Sequence, residues 1–427
     1  MTSTPMNSPQ LGISQRAMTL VAEAENRLSA QFRAIEKLQL HNQAKVLSAF
    51  RAHRVEGRHF AGSTGYAYGD IGRDTLDALY ATVLGCEAAL VRPHIVSGTH
   101  ALSLCLYGLC RRGTRLLSLT GAPYDTLLAT VGIHPDENGI ESVMENGVTY
   151  VELPLNADRQ VDLDAACAVL RQRHEGGTVV YLQRSRGYDW RPSLGVADLE
   201  RVIAAVKQAD PECVVLVDNC YGEFTEEREP TDVGADLIAG SLIKNPGGGI
   251  APTGGYIAGR KHLVERVQYR MTAPGIGAEV GSWPSGYQSF YQGLFLAPHT
   301  VGESLKGAVL AAAVFEALGY PVMPASTAAR SDITQSIEFG AQEPLLRFCR
   351  AIQAASPVDG HVVPEPWPMP GYQHDVVMAA GTFVQGASIE LSADAPIKPP
   401  YVGYLQGGLT YQHCALAIMM VLTELLK

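Results

Sequence analysis

Lys244 is one of only eight lysines in the chain, and its neighbours set it apart: Leu242 and Ile243 precede it, and Asn245, Pro246 and three glycines follow. An amine in such a place can lose its hydration and have its pKa drawn down, as a Schiff-base lysine requires. Upstream, the run Val214-Val215-Leu216-Val217 ends in Asp218. A carboxylate closing one strand and a lysine just beyond the next is the layout expected for pyridoxal 5′-phosphate (PLP). There the acid pairs the pyridinium nitrogen and the lysine holds the aldehyde. Taken singly, either residue reads as an ordinary loop lysine or a turn-forming aspartate. The pairing carries the reading.

A phosphate dianion needs backbone N–H groups at a helix N-terminus together with hydroxyls. Ser97-Gly98-Thr99 offers both just before a helical stretch, and Ser241 adds a further hydroxyl close to the lysine. Tyr124, after a strand in GAPYDT, is the aromatic expected against the pyridine ring. Tyr66, Tyr68 and Arg73 lie in a Gly/Tyr loop without regular period, RHFAGSTGYAYGDIGR. Such a loop could give a tyrosine or Arg73 to the phosphate of a neighbouring copy. An amino-acid substrate would need an arginine for its carboxylate. Arg184, Arg186 and Arg191 in QRSRGYDWR, with Arg330 further on, are the candidates, and Arg186 is the one favoured.

These residues need a scaffold. Apolar spacing predicts a helix over 18–52, another over 74–86 capped by Asp74 or Thr75, and a third that begins with Ile95 to His100 and runs through Cys110. Short apolar runs at 88–92, 115–119, 148–153, 179–183, 214–218, 237–243 and 255–258 read as strands, with helices at 123–133 and 193–208 between them. Strand and helix in alternation imply an α/β fold with a mainly parallel sheet, whose ligands sit beyond the carboxyl ends of the strands. Asp218 and Lys244 fall there. After 331 the pattern changes to strands at 376–379 and 388–391 and helices at 343–355 and 411–426, a smaller C-terminal α+β domain. The expected division is an N-terminal helical arm over 1–60, a large domain over 61–305 and a small one over 306–427.

Composition narrows the classes. With 427 residues, 46% hydrophobic and 18% charged, the chain can build a substantial core. A net charge of −10 without a basic block argues against a nucleic-acid surface. No apolar run is long enough to suggest a membrane span, and no secretory signal is evident, so a cytoplasmic protein is expected. The eight cysteines include no CxxC pair and the histidines are dispersed, so no metal site is expected. A nucleotide-binding loop would place its lysine after the glycines, and here they follow it.

The motifs together resemble a known family. GYAYGDIGRDTLDALYATVLGCEAALVRPHIVSGTHAL, GAPYDTL, YLQRSRGYDWRPSL, the stretch from VDNCYGEF to TGGYIAGR, and MAAGTFVQGASIELSADAPIKPPY are similar to the aluminium-resistance, methionine γ-lyase-like branch of the Cys/Met-metabolism PLP enzymes. The resemblance spans roughly residues 15–425. It implies fold-type I, Lys244 as Schiff-base residue, Asp218 as pyridinium partner, Tyr124 as ring stacker and Ser97 to Thr99 as phosphate cradle. It further implies β- or γ-elimination at a C–S bond, with Lys244 as base and Tyr124 or Tyr66 as proton donor, in a homodimer or homotetramer. Aldol cleavage, racemisation, transamination, or a homologue that binds PLP without turnover would use the same parts. In the well-studied lyases one residue separates the tyrosine and arginine of the phosphate loop, whereas Tyr66, Tyr68 and Arg73 are spread over eight positions.

Overall fold

The structure, a computed structural model, describes residues 11–133, 141–369, 372 and 374–427. The predicted first helix is two: α1 (Gln15–Arg27) and α2 (Ser29–Ala52) meet at Leu28. Both bury an apolar stripe, with Val21, Ala24, Ile35 and Val46 inside, so this arm is part of the core. α3 (Ile71–Val83) starts earlier than expected. Its cap is Asp70, whose Oδ1 accepts the N–H groups of Gly72 and Arg73, both at 3.0 Å, in place of Asp74 or Thr75.

The large sheet then builds up through β1 (Ala88–Arg92), α4 (Gly98–Leu109), β2 (Arg115–Ser118), the single turn α5 (Leu128–Val131), β3 (Thr149–Glu152) and α6 (Leu163–Arg171). It continues with β4 (Thr178–Gln183), α7 (Val196–Ala209), β5 (Val214–Asp218), β6 (Leu237–Ser241) and β7 (Gly255–Gly259). The strand order is β1-β7-β6-β5-β4-β2-β3. Only β7 is reversed, pairing antiparallel with both neighbours. The central strands β4, β5 and β6 are buried along almost their whole length, as a sheet covered on both faces demands.

Helix α8 (Lys261–Met271) leads to α9 (Gln288–Ala317), a 30-residue helix buried on nearly every side. The expected large–small division at 305 and 306 falls inside α9, which packs on α2 and on the C-terminal elements alike. Those elements are β8 (Val322–Met323), β9 (Thr334–Glu338), α10 (Gln342–Ala354), β10 (Val376–Ala379), β11 (Ser392–Pro396), β12 (Val402–Gln406) and α11 (Tyr411–Leu425). The five strands form an antiparallel sheet in the order β10-β11-β12-β9-β8. The architecture is thus α/β, with a large mainly parallel sheet and a small antiparallel one. No helix among the described residues is long and apolar enough to cross a membrane.

The glycines after Lys244 have a packing cause. A Cβ on Gly247 would lie 1.7 Å from the Leu242 carbonyl oxygen, and Gly248, at φ +58°, presses against the Gly293 carbonyl of α9. Only glycine permits that approach and that backbone. The loop locks Lys244 between sheet and helix.

Candidate active site

Register brings the predicted residues together. Asp218 ends β5 opposite Gln183 of β4 and Ala239 of β6, so Asp218, Ser241 and the turn carrying Lys244 share one sheet edge. β1 runs parallel to β6, and α4 therefore begins at that same edge. A Cβ on Gly98 would lie 3.6 Å from Ser241 Cβ and 3.1 Å from Cys220 Sγ. Ser97, Gly98, Thr99, Tyr124, Asp218, Ser241 and Lys244 all line one cavity of about 280 Å³.

Around Asp218 the geometry is that of an acid short of partners. Its Oδ1 accepts the Cys220 N–H at 3.1 Å and its Oδ2 the Tyr181 hydroxyl at a long 3.5 Å, with the Cys220 thiol also bonded to the carboxylate. Burial raises its pKa, against the opposing pull of Lys244, of the Cys220 N–H and thiol, and of the Tyr181 hydroxyl. A buried carboxyl with a weakly filled oxygen fits a cationic ring N–H. At the other end, Ser97 Oγ caps α4 by accepting the His100 N–H at 3.0 Å, and Thr99 Oγ1 lies 2.7 Å from Thr126 Oγ1. The N-terminus of α4 with the hydroxyls of Ser97, Thr99 and Ser241 offers N–H and O–H groups, which suits a phosphate. The residues present fit PLP.

Lys244 departs from expectation in one respect. Burial disfavours its ammonium, but Cys220, Tyr221, Asp218 and Glu223 outweigh burial and raise its pKa above the ordinary lysine value. The predicted lowering is corrected: Leu242 is buried in the core and Ile243 shares the cavity wall, but the charged and polar groups of β5 and of the turn that follows it outweigh burial. Its Nζ lies 4.2 Å from the centroid of the Tyr221 ring and makes no contact ion pair among the described residues. Tyr221 itself has φ +71°, strain held by the hydrogen bond from its hydroxyl to Ser388 Oγ at 3.0 Å.

Four expected contacts are not made within one chain. Arg186, buried to 1%, gives its guanidinium to Asp332 at 3.3 Å and to the Met323 carbonyl at 2.7 Å, so it is not presented to the cavity. The carboxylate contact favoured for it becomes a buried ion pair. Tyr66 and Tyr68 are 72% and 70% exposed and lie outside the cavity. Arg73 is buried against Asp74 and the Ala67 carbonyl. Of the other arginines considered, Arg184 is committed to Asn219 and Glu226 and Arg191 to the Ser185 carbonyl, while Arg330 gives Nη2 to Gln335 and keeps Nε and Nη1 without partners, outside the cavity lining. Among the described residues, no arginine lines the cavity.

The opposite wall comes from the small sheet and the segments that flank its strands, and was not foreseen. Tyr372, Ser388, Ser392, Asp394 and Gln406 face the large-sheet residues there. Tyr372 and Tyr124 share a hydroxyl–hydroxyl hydrogen bond of 2.8 Å, and burial followed by Tyr372, Tyr221 and Asp394 raises the Tyr124 pKa. The available signal for Asp394 was an acid two residues after Ser392 between the small residues Ala393 and Ala395.

Residues 17–426 match the methionine gamma-lyase family. The chain belongs to that family. Its members' resemblance to the motifs above is thereby borne out, as is the fold-type I architecture. YnbB, an uncharacterized protein of Bacillus subtilis, is 50% identical over 405 residues, 95% of each chain. The crystal structure of a carbon-sulfur lyase involved in aluminum resistance from Clostridium novyi NT superposes with a TM-score of 0.94 at 48% identity, covering 99% of both chains. The pyridoxal-5′-phosphate dependent protein YhfS from Escherichia coli shares the fold alone, with a TM-score of 0.58 at 18% identity over 90% of this chain and 95% of that one.

Proposed function

We propose that this methionine gamma-lyase family member is a PLP-dependent carbon–sulfur lyase that eliminates a thiol from a sulfur-containing amino acid. The observation that carries the reading is the single cavity lined by Lys244, Asp218 and the N-terminus of α4. Asp218 would face the ring nitrogen, Tyr124 the ring, and Ser97, Gly98, Thr99 and Ser241 the phosphate. When bound, PLP supplies a sink for the negative charge that develops at the substrate Cα.

The chain's own residues then have distinct tasks. A cation against Asp218 cancels much of that carboxylate's hold on Lys244, which lets the amine give up its proton and serve as base at Cα. Tyr124 or Tyr66 would protonate the departing sulfur, and the hydrogen bond between the Tyr124 and Tyr372 hydroxyls supports Tyr124. Tyr66 and Tyr68, with exposed Ile71 nearby in sequence, form a surface suited to a second copy of the chain. In a homodimer or homotetramer, Tyr66, Tyr68 or Arg73 would complete the neighbour's site. The cytoplasm is the compartment this chemistry suits.

Two measurements test the reading. Lys244→Ala should abolish covalent attachment of PLP, seen by mass after reductive trapping, with the fold intact by circular dichroism. Wild-type protein should release a keto acid from at least one of cystathionine, methionine or cysteine. Release from none of these thiol or thioether substrates, or undiminished trapping in the variant, defeats the proposal.

A further inference from the structure

The small-sheet wall holds a polar set that cofactor binding does not use. Ser392 and Asp394 are two apart on β11 and so point to the same face, and Ser392 pairs in register with Gln406 of β12. All three line the cavity. Gln406 Nε2 donates to Asp394 Oδ2 at 3.0 Å and so orients the carboxylate. Ser392 is 3% exposed, yet its Oγ has no hydrogen-bond partner. A buried hydroxyl without a partner on a cavity wall is costly unless a ligand fills it.

The charges on this wall are unexpected for a site that takes an α-amino acid. Among the described lining residues the only basic side chain is Lys244, and the second acid besides Asp218 is Asp394. Lys244 does not neutralise Asp394 by contact, since no ion pair joins them among the described residues. Burial pushes the Asp394 carboxyl up to about 6, while Gln406, Tyr188 and Lys244 pull it down only in part. Such a carboxylate gains from a cation brought by the ligand.

We propose that Asp394, aligned by Gln406 and flanked by the Ser392 hydroxyl, is a specificity-determining receptor for an ammonium group on the substrate side chain. The preferred substrates are then sulfur amino acids bearing a second amino group beyond the scissile C–S bond, rather than neutral S-alkyl amino acids. The inference rests on the lyase reading for its substrate class, but the site itself can be tested without turnover.

The test uses L-ornithine and L-norvaline, which have the same carbon chain with and without a terminal ammonium and contain no sulfur. PLP-loaded wild type, Asp394→Asn and Asp394→Glu are titrated with each amino acid, following the visible band of the bound cofactor. Wild type should favour ornithine by roughly ten- to a hundredfold, the range for a charge-assisted hydrogen bond. Asp394→Asn should erase that preference by weakening ornithine while leaving norvaline within about twofold, and Asp394→Glu should retain part of it. Equal affinities in wild type, an equal loss for both ligands in Asp394→Asn, or loss of the cofactor band in that variant would each overturn the proposal. An ornithine preference in a protein that cleaves no thioether would sink the lyase reading and leave the receptor standing. Keto-acid release without any ornithine preference would do the reverse.

Discussion

Beneath Lys244 lies Glu223, wholly buried, with Oε1 accepting the Tyr256 hydroxyl at 2.7 Å and Oε2 without a partner. Burial pushes its carboxyl up to about 8, further assisted by Glu229 and opposed by Tyr256 and Lys244. The sign follows directly. An acid whose pKa is raised on folding keeps its proton in the native state, while the unfolded chain releases it at about 4.5. Stability from this group is therefore full below about pH 4.5 and is lost as pH rises towards 8. At about 1.4 kcal/mol per unit, the loss between pH 5 and 7.5 is on the order of 3 kcal/mol. Glu223→Gln removes the titration. The new amide leaves a donor where Oε2 stood, a pH-independent cost of roughly 1–3 kcal/mol. Urea unfolding of both proteins at a series of pH values separates the two effects, because every other titrating group cancels in their difference. The variant should gain on wild type by about 3 kcal/mol from pH 5 to pH 7.5. A difference that stays flat across that range would falsify the assignment of a neutral, buried Glu223.

Three further outcomes follow from the geometry. Asp218→Asn should still accept PLP at Lys244 but lose keto-acid release by at least about a hundredfold, since the ring nitrogen loses its countercharge; near-normal turnover would remove Asp218 from the chemistry. Tyr124→Phe breaks the hydrogen bond to Tyr372. It should lower kcat by about 10²- to 10⁴-fold while costing no more than about 1.5 kcal/mol of stability, whereas a pure stability loss would mark Tyr124 as packing. Arg186→Met strands the buried Asp332 carboxylate and should destabilise by about 3–5 kcal/mol with KM unchanged in the folded protein. A raised KM at unchanged stability would return Arg186 to the substrate.

The large domain was legible because its signals are local. β1, β4, β5 and β7 are short apolar runs, so their boundaries fall within about a residue of expectation, while α4 starts at Gly98, where the Ser97 hydroxyl caps it, and not at Ile95. What failed depended on tertiary context. β11 was expected at 388–391, where apolar residues are denser. There Glu390 instead folds back to accept the N–H groups of Phe383 and Val384, and the strand begins at Ser392. β9 escaped notice because it is a polar strand, TQSIE, whose Gln335 and Ser336 are buried through contacts no spacing reveals. Arg186 looked available because it follows a strand at the ligand edge, but its partner Asp332 is 146 residues away. The Lys244 pKa was misjudged for a similar reason: its sequence neighbours are apolar, while its spatial neighbours are acids brought from β5 and the turn after it.

The two walls of the cavity thus differ in how they could be read and in what they control. Lys244, Asp218 and Ser97 all project from one edge of one parallel sheet, and their separation is fixed by strand register. A change on β11 does not alter that register, because the small sheet pairs only with itself. Exchanging Asp394 or Ser392 should therefore redirect substrate preference while leaving PLP attachment intact. Changes at the edge of β5 or β6 should disturb both together. A site with its reaction on one sheet and its selectivity on another can alter its substrate without rebuilding its chemistry.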